Sequence, residues 1–257
     1  MIRIALVCTA ALLLSGCGWF GNLSGAGAGQ RMSLELAVGI DPSVDGDVIS
    51  TAFDDTGTAE LITTGYDDAY DNGLRYQAGI SYEVSNTVDI TLAANYATSD
   101  GRTLEVGNVS GIDPITADFG DYETYGAEIG LRKYFRNKTF AHLLSPAVSP
   151  YIGLNVGIQH VESIGAILTS DGFVGIGQPT SINAEFYEDS LVPTAQIIVG
   201  AEWRANNNFS IGLETGVRYR GDLSAGDNTL VAIGLQEARD NSHNISIPIT
   251  LRGRFKF

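Results

Sequence analysis

Cysteine is nearly missing from this chain. The only two, Cys8 and Cys17, lie within the first 17 residues. Beyond them there is no disulfide framework, no thiol nucleophile and no cysteine-built metal site to argue from. Proline is scarce at 7 of 257 residues, while glycine is abundant at 31. Glycine without proline and without a strict period is neither disorder nor collagen. It fits many strands in which small residues let a wall curve and bulky neighbours pack. Basic residues are outnumbered, with 15 Lys and Arg against 30 Asp and Glu and a formal charge of −15. Binding phosphate backbones needs clustered Lys and Arg, so a nucleic-acid partner is disfavoured. After Cys17 no apolar run reaches the length of a membrane helix. Any crossing of a membrane must therefore be made by strands. An open sheet edge is not tolerated in lipid, so those strands must close.

The front end carries its own signal. Arg3 precedes an apolar run from Ile4 to Leu14, about the length of a signal-peptide core and too short to span. Leu14-Ser15-Gly16-Cys17 follows. It resembles the lipobox of bacterial lipoproteins, which implies that Cys17 is lipidated and becomes the first mature residue. Gly18, where an inner-membrane retention signal carries Asp, implies by the same resemblance an outer-membrane destination. The competing cleavage site is Ala26-Gly27-Ala28. Loss of residues 1–16 removes Arg3 and leaves a charge of −16. The Gly-rich stretch after Cys17 reads as a flexible tether, with Trp19 and Phe20 suited to the headgroup level. The chain thus divides into a signal peptide (1–16), a lipidated tether (17–30) and a barrel (31–257).

From residue 31 onward the dominant pattern is a period of two. At the C-terminus Ile245, Ile247, Ile249, Leu251, Phe255 and Phe257 alternate with Ser246, Thr250, Arg252, Arg254 and Lys256. Seven earlier segments repeat the pattern, near residues 31–40, 74–84, 87–98, 122–135, 150–162, 191–204 and 209–220. In the second, Leu74, Tyr76, Ala78, Ile80, Tyr82 and Val84 oppose Arg75, Gln77, Gly79, Ser81 and Glu83. Eight such segments predict an all-β, closed antiparallel transmembrane barrel, with lipid-facing and lumen-facing residues taking turns. A soluble sandwich or a lipocalin-like barrel shows the same alternation with inside and outside exchanged.

The connections separate these readings. Ser85-Asn86 and Ala205–Asn208 are short, and Arg136–Ser149 is intermediate. Asp41–Gly73, Ser99–Asp121, Ser163–Ser190 and Gly221–His243 are long. Short periplasmic turns alternating with long outer loops are the habit of outer-membrane barrels, and they place both termini on the periplasmic side. Val48–Phe53 and Ala59–Thr64 flank Asp55-Thr56-Gly57, which predicts a hairpin beyond the membrane. Were it to enter the wall, the barrel would have ten strands.

A strand ending in Phe255-x-Phe257 resembles the C-terminal signal by which bacterial outer-membrane barrels are recognised for assembly. Residues 31–257 as a whole resemble the OmpA-type, opacity-like superfamily of eight-stranded outer-membrane barrels. That resemblance implies a bacterial outer-membrane location, with outer-membrane lipid, lipopolysaccharide and the barrel assembly machinery as partners, and no cofactor.

The alternation turns a set of charges inward: Glu35, Glu83, Asp89, Glu128, Glu202 and Glu214 with Arg75, Arg132, Arg204, Arg218, Arg252 and Arg254. An eight-stranded barrel has an interior just wide enough for side chains to fill. Charges there must be paired, which predicts a salt-bridged plug. The alternative is a narrow conduit for ions or small solutes. The first long loop carries Asp41, Asp45, Asp47, Asp54, Asp55, Glu60, Asp67, Asp68 and Asp71 and no Lys or Arg. Carboxylates of this kind could hold Ca²⁺ or Mg²⁺ and bridge to lipopolysaccharide phosphates, but no EF-hand spacing is present and no metal ligand is assigned.

Catalysis has little to stand on. The histidines are His142 in the intermediate periplasmic connection and His160 and His243 near the outer rim. His160, Glu162 and Ser163 evoke the lipid-A deacylating barrels, yet their H-x-S pattern is not matched. Adjacent strand residues also face opposite ways, so the three would not converge. Gly172-Phe-Val-Gly-Ile-Gly177 sits in a long loop and not between a strand and a helix, where a nucleotide loop belongs. The sequence therefore reads as a non-enzymatic barrel with a structural or surface-interacting role. A small channel and an outer-membrane lipid-modifying enzyme are the alternatives.

Overall fold

The computed structural model describes residues 31–135, 147–226, 230, 234–239 and 242–257. The signal peptide, the tether with Cys17, and His142 lie outside them. Eight strands form the wall: β1 (Met32–Asp41), β2 (Gly73–Ser85), β3 (Val88–Ser99), β4 (Tyr122–Tyr134), β5 (Val148–Val161), β6 (Ser190–Arg204), β7 (Phe209–Arg220) and β8 (Ile249–Lys256). Each pairs antiparallel with the next in sequence, and β1 pairs with β8, with Leu34 opposite Phe255 and Ile40 opposite Ile249. The ring is closed, so no edge is left to the lipid.

Alternation decides which way each side chain points. On β1, Ser33, Glu35 and Asp41 are buried while Leu36, Val38 and Ile40 are exposed. Around the ring Leu36, Leu92, Ile129, Leu154, Ile197, Leu213 and Leu251 are 50–63 % exposed. Leucine and isoleucine left outside on every strand, over polar residues kept inside, invert a soluble protein's order. The wall is a transmembrane barrel. Glycines make room for the plug. Glu35 lies opposite Gly79, Arg132 opposite Gly153, Glu128 opposite Gly157, and Glu202 opposite Gly212. A Cβ at Gly157 would stand 2.9 Å from Glu128 Cγ, and one at Gly200 would meet the Tyr151 ring at 2.5 Å.

The last strand is not continuous. Asn244–Ser246 pairs with β7, Ile247-Pro248 breaks the ladder, and β8 resumes at Ile249. Pro248 has no N–H to give, so the unbroken terminal strand expected from the alternation is split there.

The long loops are not loose. Their short strands form a six-stranded sheet in the order Ser181–Tyr187, Ile164–Thr169, Asp113–Phe119, Thr103–Val109, Ala59–Leu61, Ala52–Phe53. Asp47–Ile49 pairs with Thr64–Gly65, and Ser43–Asp45 pairs with Asn244–Ser246. The hairpin around Gly57 exists, with Ala52 opposite Leu61. It joins this outer sheet and not the wall, so the ten-strand alternative is excluded. The outer sheet is a cap with its own apolar core. Val48, Ile49, Leu61, Val106, Ile115, Leu168, Phe173, Phe186 and Leu230 are at most 1 % exposed. Residues from all four long connections contribute to that core.

Candidate functional site

The lumen is filled by charged side chains. Seven acidic and seven basic side chains are joined by pairs within 4 Å. They fall into two sets. Towards the cap, Asp41 gathers three guanidinium groups: Arg220 at 2.6 Å, Arg218 at 3.0 Å and Arg75 at 3.6 Å. Arg75 and Arg218 also meet Glu128, at 3.1 and 3.3 Å. Neutral donors complete Glu128, with Asn95 at 3.2 Å and Asn155 at 3.3 Å. Gln159 accepts from Arg220 and donates to Thr124.

Towards the short turns, Glu35 accepts from Arg132 at 2.5 Å and from Arg252 at 2.9 Å. Glu214 lies 2.8 Å from Arg252 and 3.5 Å from Arg132, and accepts from the Tyr151 hydroxyl at 2.6 Å. Glu202 accepts from Ser210, Tyr134 and Arg252. Arg254 reaches Asp89 at 2.7 Å and Glu83 at 3.5 Å, and Lys256 closes on Glu83. The Arg252 guanidinium also lies 5.2 Å from the Tyr151 ring centre, within cation–π reach. Arg75, Arg132, Arg218, Arg252 and Arg254 are each only 1–2 % exposed.

Of the twelve charges expected in the lumen, Glu35, Arg75, Glu83, Asp89, Glu128, Arg132, Glu202, Glu214, Arg218, Arg252 and Arg254 lie in these contacts. Arg204 does not. Its position in the alternation is inward, but it stands at the last residue of β6, past the plug, and is exposed. Asp41, Arg220 and Lys256 were not in the expected set. Asp41 counts, by the sequence pattern, as the first acid of the outer loop. It instead continues the inward row Ser33, Glu35, Ala37, Gly39 by one more step, and that parity was the available signal.

The cap is the other charged body. Residues 42–72, 100–121, 162–189 and 221–243 hold 22 of the 30 acidic residues and two of the 15 basic ones, Arg102 and Arg239. Arg102 binds Asp71 at 2.6 Å and donates to the Asp67 carbonyl. These residues border a small open polar cleft of about 50 Å³, shared with Ser43, Tyr66, Tyr70, Asn72, Ser99 and Tyr122. Among the described residues no group of three or more His, Asp or Glu is arranged to hold a metal ion. Asp54 works locally. Burial acts against its ionisation, but hydrogen bonds from Thr56 and from the Ala59 and Thr58 N–H groups outweigh it and lower its pKa. Tyr66 and Tyr70 pack on each other and on Tyr122. Burial, reinforced by Tyr122, pushes both phenols up.

His160 lies on the outer face of β5, stacked on Tyr125 with ring centres 4.7 Å apart. The Ser163 N–H donates to Asp189. His243 stacks on Tyr219 at 6.2 Å. Phe255 and Phe257 are exposed at the outer face of the short-turn end. The Gly172–Gly177 stretch forms a 3-10 helix over Asp171–Ile176, anchored in the cap core by Phe173.

No protein-family model matches the chain, and no curated protein matches it. Solved structures of several barrels are similar to it at low identity. Neisserial surface protein A is 11 % identical over 88 % of this chain and 97 % of its own, with a TM-score of 0.44. The outer membrane protein OprG of Pseudomonas aeruginosa is 12 % identical over 88 % and 96 %, with a TM-score of 0.41. Ail, the attachment invasion locus protein of Yersinia pestis, in complex with the heparin analogue sucrose octasulfate, is 16 % identical over 88 % and 99 %, with a TM-score of 0.36. The closed strand ladder and its apolar outer belt stand independently of these likenesses.

Proposed function

We propose that this chain is a bacterial outer-membrane barrel with a sealed lumen, whose task is to hold an acidic cap at the cell surface. Its role is structural or surface-interacting, and it is not an enzyme. The observation that carries this reading is the burial of five arginines, each 1–2 % exposed, in a lumen set of seven acids and seven bases. A water-filled conduit would leave such groups wet. The apolar core of the cap lies over the plug and adds a second barrier. Connections that hold 22 acidic residues against two basic ones attract cations and cationic partners. Divalent ions would let it bridge to the phosphates of lipopolysaccharide. Phe255 and Phe257 would serve the assembly machinery, and Cys17 would carry lipid.

Orientation is the test. Cysteine placed at Ile112, an 82 % exposed cap residue, should react with a membrane-impermeant maleimide on intact cells. Cysteine at Asn207, in a short turn, should react only after the outer membrane is opened. Labelling of Asn207→Cys but not Ile112→Cys on intact cells would reverse the topology and defeat the reading.

A further inference from the structure

The two ends of the barrel carry opposite charge. At the short-turn end, Arg31 before β1, Lys133 on β4 and Arg204 on β6 are exposed. These strands are spread around the ring, so the cations are spaced along its rim. The acids of this end are turned inward: Asp89 and Glu202 are buried in the plug, and Glu83 is held by Arg254 and Lys256. Among the described residues of this rim, at 31, 85–87, 133–135, 147–149, 204–209 and 254–257, no side chain is acidic.

The cations are interleaved with rings that face lipid. Tyr82, Trp203, Phe209, Phe255 and Phe257 are each 37–50 % exposed on the outer face of the same end. Such rings settle at the headgroup level. Lys133 follows inward-facing Arg132 and so points to the lipid side, and its Nζ donates to Thr87 Oγ1 at 2.9 Å. Arg204 and Arg31 fall on the inward parity of β6 and β1, but both stand past the plug and are exposed at the mouth of this rim. A cation held at headgroup depth beside an aromatic girdle meets phosphate first, and guanidinium pairs with phosphate oxygens in a fork.

We infer that this rim selects anionic phospholipid, of the phosphatidylglycerol kind, in the leaflet that the short turns touch. The inference rests on the membrane reading proposed above. A phosphodiester without an amine offers a net negative charge that a zwitterionic headgroup lacks.

Trp203 reports on it directly, because Trp19 is the only other tryptophan. Trp19→Phe protein is refolded into phosphatidylcholine vesicles containing either nitroxide-labelled phosphatidylglycerol or nitroxide-labelled phosphatidylcholine. Quenching should favour the labelled phosphatidylglycerol by roughly two- to fivefold, the range expected where one headgroup meets one surface cation. The preference should fall towards unity at about 1 M salt, where screening acts within roughly 3 Å. It should fall likewise in Arg31→Gln/Lys133→Gln/Arg204→Gln, or in Lys133→Gln alone if the triple variant does not fold. Equal quenching by both lipids in the parent protein overturns the inference, as does a preference that survives the variants. A protein whose gel mobility is the same before and after boiling is not a folded barrel. That result strikes the membrane reading and not the rim.

Discussion

Arg132 on β4 crosses the lumen to Glu35 on β1, with Nη1 2.5 Å from Oε2 and strands β2 and β3 standing between them. Glu35 is also touched by Arg252 and Arg254. One carboxylate thus ties the far wall to the seam where the ring closes. Glu35→Gln removes the carboxylate that Arg132, Arg252 and Arg254 share and leaves them only their partners Glu214, Glu202, Glu83 and Asp89. The expected loss of stability is on the order of 3–5 kcal/mol, and less if water enters. Urea unfolding in vesicles, followed by tryptophan fluorescence, measures it. A midpoint like that of the parent protein would mean that the plug does not hold the wall.

The cap should fail separately from the barrel. Phe186 is fully buried in the cap core and lies 6.2 Å, ring to ring, from Phe119. Phe186→Ala should cost about 3–5 kcal/mol, spent on the cap, because the wall keeps its hydrogen bonds. Limited proteolysis should then cut within residues 42–72, 100–121, 162–189 or 221–243 and leave the wall strands protected. Cuts within the wall strands would show that cap and barrel unfold as one.

Alkaline pH offers a second route into the cap. Burial first, and Tyr122 second, raise the folded-state pKa of Tyr66 and Tyr70 above the ordinary tyrosine value of about 10. A raised pKa gives stability that is complete below the unfolded value and is lost as pH climbs through the folded one. The aromatic circular dichroism of the cap should therefore fade above about pH 10. Tyr70→Phe, which cannot ionise, should hold it to higher pH. Identical alkaline profiles for the two proteins would rule out this cause.

Much of the wall was legible because the lipid imposes a strict period of two. The seventh strand was expected at residues 209–220 and is found there. The others differ by one or two residues at an end, apart from the break at Pro248. The cap was not legible beyond one hairpin. Its strands run from two to seven residues, too short for a period to show, and its core joins side chains from four distant connections. Val48, Val106, Phe173 and Leu230 are neighbours only after the barrel has brought their loops together. The errors in the lumen were errors of strand ends. Parity placed Arg204 inward, but the plug stops short of it, and parity carried one step further would have found Asp41.

Lipidation concerns a residue outside the described structure. Cys17→Ser should abolish incorporation of a labelled fatty acid and leave the heat-dependent gel shift unchanged, because strand pairing closes the wall. An unlabelled parent chain would show that the Leu14–Cys17 resemblance misleads.

The sealed lumen is the central claim, and planar-bilayer conductance tests it most directly. The parent protein should show no steady conducting steps. Glu214→Gln, which strips Arg252 of a partner at 2.8 Å and Arg132 of one at 3.5 Å, should admit leak currents and lower the unfolding midpoint. A parent protein that already conducts steadily, with a stability that Glu214→Gln does not change, would contradict the plug and make the barrel a channel.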